Sequence, residues 1–209
     1  MNAHIDNDFA TRTLQEFEAL CAVSHCSFHT QDMFRYLCAT LTRKGYEIAS
    51  DKAKNIYAKK GKPKLCLQSH YDMVCVGISA QGRGVEIVRE GNFLRAKDSS
   101  LGADNGIGMA CMLALQSDDI ELLFTNDEEV GMIGANNLAL RIESPLLLNL
   151  DSEDIHEIVL GCAGGVDIEC EVDFCEQPTL KQSPHTQPTP TQTTHNQSAQ
   201  NPHAQNAFN

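Results

Sequence analysis

The sequence predicts an α/β fold in which a mixed sheet is flanked by helices and followed by a disordered tail. Apolar runs of strand length recur at 65–68, 121–125 and 145–150. Stretches with helical spacing of apolar residues lie before and between them, and the composition changes abruptly after Cys175. Strands alternating with helices build a sheet whose ligand crevice lies at the carboxyl ends of its strands.

In chain order, Leu14, Phe17, Leu20 and Cys21, then Met33, Phe34, Leu37 and Leu41, recur at helical intervals. They predict amphipathic helices over 14–21 and 33–44, the second stopped at Gly45. Short strands are expected at 46–48 and 55–58, then a turn at Gly61-Lys62-Pro63 and the buried strand 65–68. Gly82, Gly84 and Gly91 punctuate a hairpin with arms 85–88 and 92–96. The small, apolar stretch 107–115 fits a helix packed on a sheet, followed by strand 121–125, helix 134–140 and strand 145–150. Residues 158–174 read as a further strand pair around Gly161 to Gly165. Residues 176–209 hold five of the seven prolines and no glycine. Such a segment buries too little apolar area to offset its ordering entropy, so disorder is expected.

The net charge is −12, and the tail contributes only Glu176 and Lys181, so the acidity belongs to the first 175 residues. A nucleic-acid partner is disfavoured, because phosphate binding needs a basic footprint. No apolar run approaches the ~20 residues of a membrane span. The N-terminal stretch lacks the basic and apolar regions of a secretory signal, so no membrane partner and a cytoplasmic location are expected. The nine cysteines include no C-x-x-C pair and lie in apolar context. They read as buried free thiols of a reducing compartment rather than a disulfide framework.

Three segments end an apolar run on a histidine or carboxylate, LQSHYDMVCVG with His70 and Asp72, LLFTNDEEVG with Asp127, Glu128 and Glu129, and LLLNLDSED with Asp151 and Glu153; a fourth, SLGADNGIGMA, sets Asp104 in a small-residue turn that runs straight into an apolar stretch. Each taken alone also fits a structural role. His70 could be a hydrogen-bonded histidine at a sheet edge, Asp104 a cap on the helix beginning near Ile107, and the acidic triplet a helix start. Capping does not explain four such sites with a histidine among them. No G-x-S-x-G, P-loop, G-x-G-x-x-G or H-E-x-x-H pattern competes.

HYDMV, GADNGIGMA, TNDEEVGMIGA and LLNLDSED, in this order, resemble the M20 metallopeptidases, and among them the aminoacyl-histidine or cytosolic non-specific dipeptidases. The resemblance runs from about Asp8 to Asp173. It implies the N-terminal part of a zinc-peptidase-like catalytic domain over 1–160, the start of a lid and dimerisation domain over 161–175, and a tail over 176–209. It implies that His70, Asp104 and Asp151 hold one divalent metal, with Asp104 bridging to a second that Glu129 also binds. Glu128 would be the general base and Asp72 the residue that steadies His70, with the Asp104–Asn105 peptide cis. Zinc is the expected metal, with manganese or cobalt tolerated, and the expected substrate is a dipeptide.

Family members are much longer, often homodimeric, and draw a further histidine for the second metal from beyond the lid. His185, His195 and His203 match no family motif, so the second metal site is expected to be incomplete. The expectation is therefore a truncated dipeptidase of little or no activity, its tail translated out of frame. The alternative is a non-catalytic metal-binding or interaction module derived from the same fold.

Overall fold

The computed structural model describes residues 7–77, 82–152, 154 and 156–161. The chain divides into Met1–Ile158 and Val159–Asn209, and of the second unit only 159–161 are described. The expected strand pair at 158–174, the lid start and the tail thus lie outside the described residues, except for 158–161, which form no strand.

The first unit runs α1 (Asn7–Cys21), α2 (Gln31–Arg43), β1 (Glu47–Ser50), β2 (Ile56–Lys59), β3 (Leu65–His70), β4 (Ile87–Glu90), β5 (Phe93–Ala96), α3 (Ala103–Ala114), β6 (Ile120–Thr125), α4 (Ile133–Asn136) and β7 (Leu147–Asn149). In α1 the buried face carries Phe17, Leu20 and Cys21 as expected. Leu14 sits at the rim, 37% exposed, and Thr13 takes its inward place. Helix α2 buries Met33, Leu37 and Leu41 completely. Gly45 ends it with φ +83°: its N–H reaches Thr42 O and that of Tyr46 reaches Leu41 O, the double bond of a left-handed helix stop. The hairpin β4–β5 forms a separate two-stranded sheet. Helix α4 is shorter than the expected 134–140, ending at Asn136.

The main sheet has the order β1-β2-β6-β3-β7, with β1, β2 and β6 antiparallel in turn and β6, β3 and β7 parallel. Strand β6 is buried along its whole length, so alternation sorts its residues by face rather than by depth. Ile120, Leu122 and Phe124 join the core built with Phe17, Leu37, Leu41, Met109 and Met112 from the three long helices. Glu121 faces the other way. It is fully buried and accepts hydrogen bonds from Tyr57 Oη and from the backbone N–H groups of Glu143 (3.1 Å) and Ser144 (2.6 Å). Despite its burial these donors hold the carboxyl below its ordinary range. Glu121→Ala would leave three donors unpaired, the Tyr57 hydroxyl among them buried, and is expected to cost about 1–3 kcal/mol in urea unfolding. A change within a few tenths would show that water replaces the carboxylate.

Strand β7 is the outermost strand on its side, paired through β3, and Leu146, Leu147 and Leu148 are 65%, 50% and 42% exposed. Among the described residues no strand pairs with its outer edge. Among the described residues no helix is long and apolar enough to cross a membrane.

Candidate metal centre

The parallel strands β3, β6 and β7 bring the polar ends of their runs to one rim of the sheet, where loops after parallel strands build ligand sites. His70 is the last residue of β3 and 1% exposed. Its Nδ1 lies 3.0 Å from the Asp72 carbonyl oxygen and 3.5 Å from Asp72 Oδ1. With the proton on Nδ1 facing Asp72, Nε2 is left for the rim. There it lies 3.0 Å from Asp104 Oδ1, 3.8 Å from Asp151 Oδ2 and 4.0 Å from Glu128 Oε2.

Asp104 reaches this point because α3 does not start smoothly. Gly102, at φ +72°, turns the chain, and a Cβ there would come 2.8 Å from Met73 Sδ. Asp104 and Asn105 have non-helical backbone angles, and the peptide between them is cis, as the resemblance implies. Ser69, buried in β3, donates to the Asn105 carbonyl at 3.2 Å and ties this turn to the strand that carries His70.

Asp72 is the hub. It is 1% exposed; its Oδ1 accepts the Glu128 N–H at 2.8 Å, and its Oδ2 accepts the Ser27 hydroxyl at 2.8 Å and the Glu129 N–H at 3.3 Å. Burial pushes its pKa up, but the hydrogen bonds from His70, Glu128 and Ser27 outweigh that and hold it below the carboxylate range. The loop after β6 is thereby hung on the loop after β3. Asp127, expected as one of an acidic triplet, turns inward with φ +50° and accepts the Phe28 N–H at 2.7 Å, so it anchors structure rather than lining the rim. Glu128 and Glu129 are both held above the ordinary range. Burial comes first in each; for Glu128 the charges of Asp151, Asp72 and Asp104 add and that of His70 opposes, and for Glu129 the nearest addition is Asp104.

His70, Asp104 and Asp151 offer ligand atoms that all lie within 4.8 Å of one another. An imidazole nitrogen with two carboxylates is a donor set that suits zinc and tolerates manganese or cobalt, so these residues fit a divalent cation. Glu129 is not part of this three-residue group. Glu153 lies outside the described residues.

Sequence reasoning missed the segment between α1 and α2. Besides Ser27, it supplies Cys26, which is joined to Cys75 by a disulfide with Cα atoms 5.4 Å apart. This corrects the expectation of free thiols throughout: the two cysteines are 49 positions apart, and only the parallel bridge between Cys26 and Met73 brings them together. Cys21, Cys38, Cys66 and Cys111 are free.

No protein-family model matches the chain. It is 33% identical over 170 residues, 72% of its length, to the cytosol non-specific dipeptidase of Escherichia coli K12. Its structure resembles the aminoacylhistidine dipeptidase of Vibrio alginolyticus, with a TM-score of 0.62 and 32% identity over 73% of the chain. A tripeptidase of Staphylococcus aureus, at TM-score 0.61 and 22% identity over 68% of the chain and 43% of its own, shares the fold. The chain spans 35% of the length of each of the two dipeptidases. In sequence and in fold, then, the chain is a homologue of the cytosol non-specific and aminoacylhistidine dipeptidases, of whose length it spans about a third.

Proposed function

We propose that this chain serves metal-dependent hydrolysis of dipeptides, Xaa-His or a broader set, in a cytosolic setting. The observation that carries the reading is the convergence of His70 Nε2 with Asp151 and Glu128, from the ends of parallel strands, and with Asp104, from the turn that opens α3. His70, Asp104 and Asp151 would hold one cation, and Asp104 would bridge to a second that Glu129 also ligates. Bound cations would acidify water and polarise the scissile carbonyl. Glu128 would take the proton of that water and return it to the leaving amine. Its raised pKa in the metal-free chain moves it toward the pH at which such transfer works best. Asp72 would act by position, fixing the tautomer of His70 and the backbone of Glu128.

The test is the full chain reconstituted with Zn²⁺ or Mn²⁺ and supplied with an Xaa-His dipeptide. Glu128→Gln is expected to lower turnover about 10²- to 10⁴-fold while metal uptake persists. Equal turnover by the variant would sink the assignment of the base. A second reading is favoured by the exposed leucines of β7, which suit an interaction module. Metal uptake with no turnover by the unaltered chain would select it.

A further inference from the structure

The Cys26–Cys75 disulfide is not buried as Cys21 and Cys66 are. Both cysteines are half-buried and line a cleft of about 630 Å³ with Phe28, Val74 and Val130, all of which are exposed. The bond also stands at a mechanical junction. Cys75 lies three residues beyond Asp72, and Cys26 adjoins Ser27, which donates to Asp72 Oδ2. Around it the two loops are joined by backbone bonds and by that hydroxyl: Met73 N–H to His25 O at 3.0 Å and Ser27 N–H to Met73 O at 3.2 Å.

We infer that Cys26 and Cys75 form a reversible thiol-exchange site for low-molecular-weight thiols, and that its oxidised state stiffens the loop carrying Asp72. The inference rests on the proposed cytosolic setting, where thiols reduce accessible disulfides. The exchange balances without another reactant. The thiolate of a small thiol attacks one sulfur of the pair and the S–S bond breaks; the departing cysteine leaves as a thiolate and takes up a proton. A second small thiol resolves the mixed disulfide, releases the symmetric small-molecule disulfide and frees the other cysteine. Two small thiols are oxidised by two electrons in all, and Cys26 and Cys75 are reduced to thiols.

The other described cysteines compete poorly. Cys21 and Cys66 are buried, and burial first, then Glu18 and Glu121 respectively, pushes each thiol up to about 12. Burial raises Cys38 and Cys111 as well. A thiol that holds its proton is a weak nucleophile, so exchange concentrates on the pair in the cleft.

The experiment takes the full chain through a series of oxidised and reduced glutathione, with differential alkylation and peptide mapping by mass. Cys26 and Cys75 are expected to pass together from blocked to alkylated, while Cys21 and Cys66 label only after denaturation. Hydrogen exchange at the Met73 and Ser27 amides is expected to quicken about tenfold or more in the reduced chain, as local opening becomes easier. Cys75→Ser should show the fast exchange whatever the glutathione ratio. A pair that stays blocked at the reduced end overturns the inference, as does a reduced chain whose two amides exchange at the oxidised rate. Mn²⁺ uptake measured on both forms reads the metal centre separately, since its absence from both would sink the proposed function and leave the thiol result standing.

Discussion

Asp72→Ala is expected to cost about 3–5 kcal/mol of folding free energy, the size seen when one partner of a buried charged cluster is removed. The carboxylate is 1% exposed and is the shared acceptor for the Glu128 and Glu129 N–H groups and the Ser27 hydroxyl. Truncation leaves these donors facing a void and removes the charge beside His70. Metal affinity should fall about 10- to 100-fold as well, because the imidazole loses a group that fixes its orientation. Urea unfolding without metal reads the first effect and Mn²⁺ titration the second. A stability loss under about 1 kcal/mol, at unchanged slope, would mean that Asp72 is not the hub its contacts describe.

The second large effect is a dependence on pH centred on His70. Burial alone would lower its pKa, but the hydrogen bonds with Asp72 and Asp104 and the charges of Asp151 and Asp72 prevail and push it up to about 9. In the metal-free chain the folded state therefore binds the proton more tightly than the unfolded state, whose histidine titrates near 6.5. The resulting stability, on the order of 3 kcal/mol, is fully present below pH 6.5 and is lost as pH rises through 9. Glu128 and Glu129, also held high, act with the same sign at lower pH. Cation uptake runs the other way, because the imidazole must shed its proton to become a ligand. Apparent affinity should rise up to about tenfold for each pH unit below 9. Thermal unfolding at fixed ionic strength from pH 6 to 9, with and without Mn²⁺, tests both slopes. Flat curves, or the same slopes in His70→Gln, would remove His70 from the account.

Much of this was legible because strands β3, β6 and β7 each spend their apolar residues first and their polar ones last. An apolar run that stops on a histidine or carboxylate states where the sheet ends and chemistry can begin. That logic carried His70 and Asp151 to one point, where Asp104 joins them from the turn that opens α3. It failed where a residue's partner is set by tertiary approach alone. Ser27, Cys26 and Phe28 lie in a loop without periodicity or motif, and nothing in their neighbours announces that Asp72, Cys75 and Asp127 will meet them. Asp127 shows the same limit from the other side. Beside two glutamates it reads as one more rim charge, yet a left-handed backbone angle turns it inward. Leu14 was placed inside by spacing, and the core took Thr13 instead.

The pairing of β3 with β6 places His70 directly opposite Thr125, three residues before Glu128. The two strands therefore act as a ruler graduated in single residues. Because successive side chains leave opposite faces, removing one residue from β3 would swing the imidazole to the wrong side of the sheet rather than merely shorten its reach. Length changes therefore have to be taken up outside the two strands.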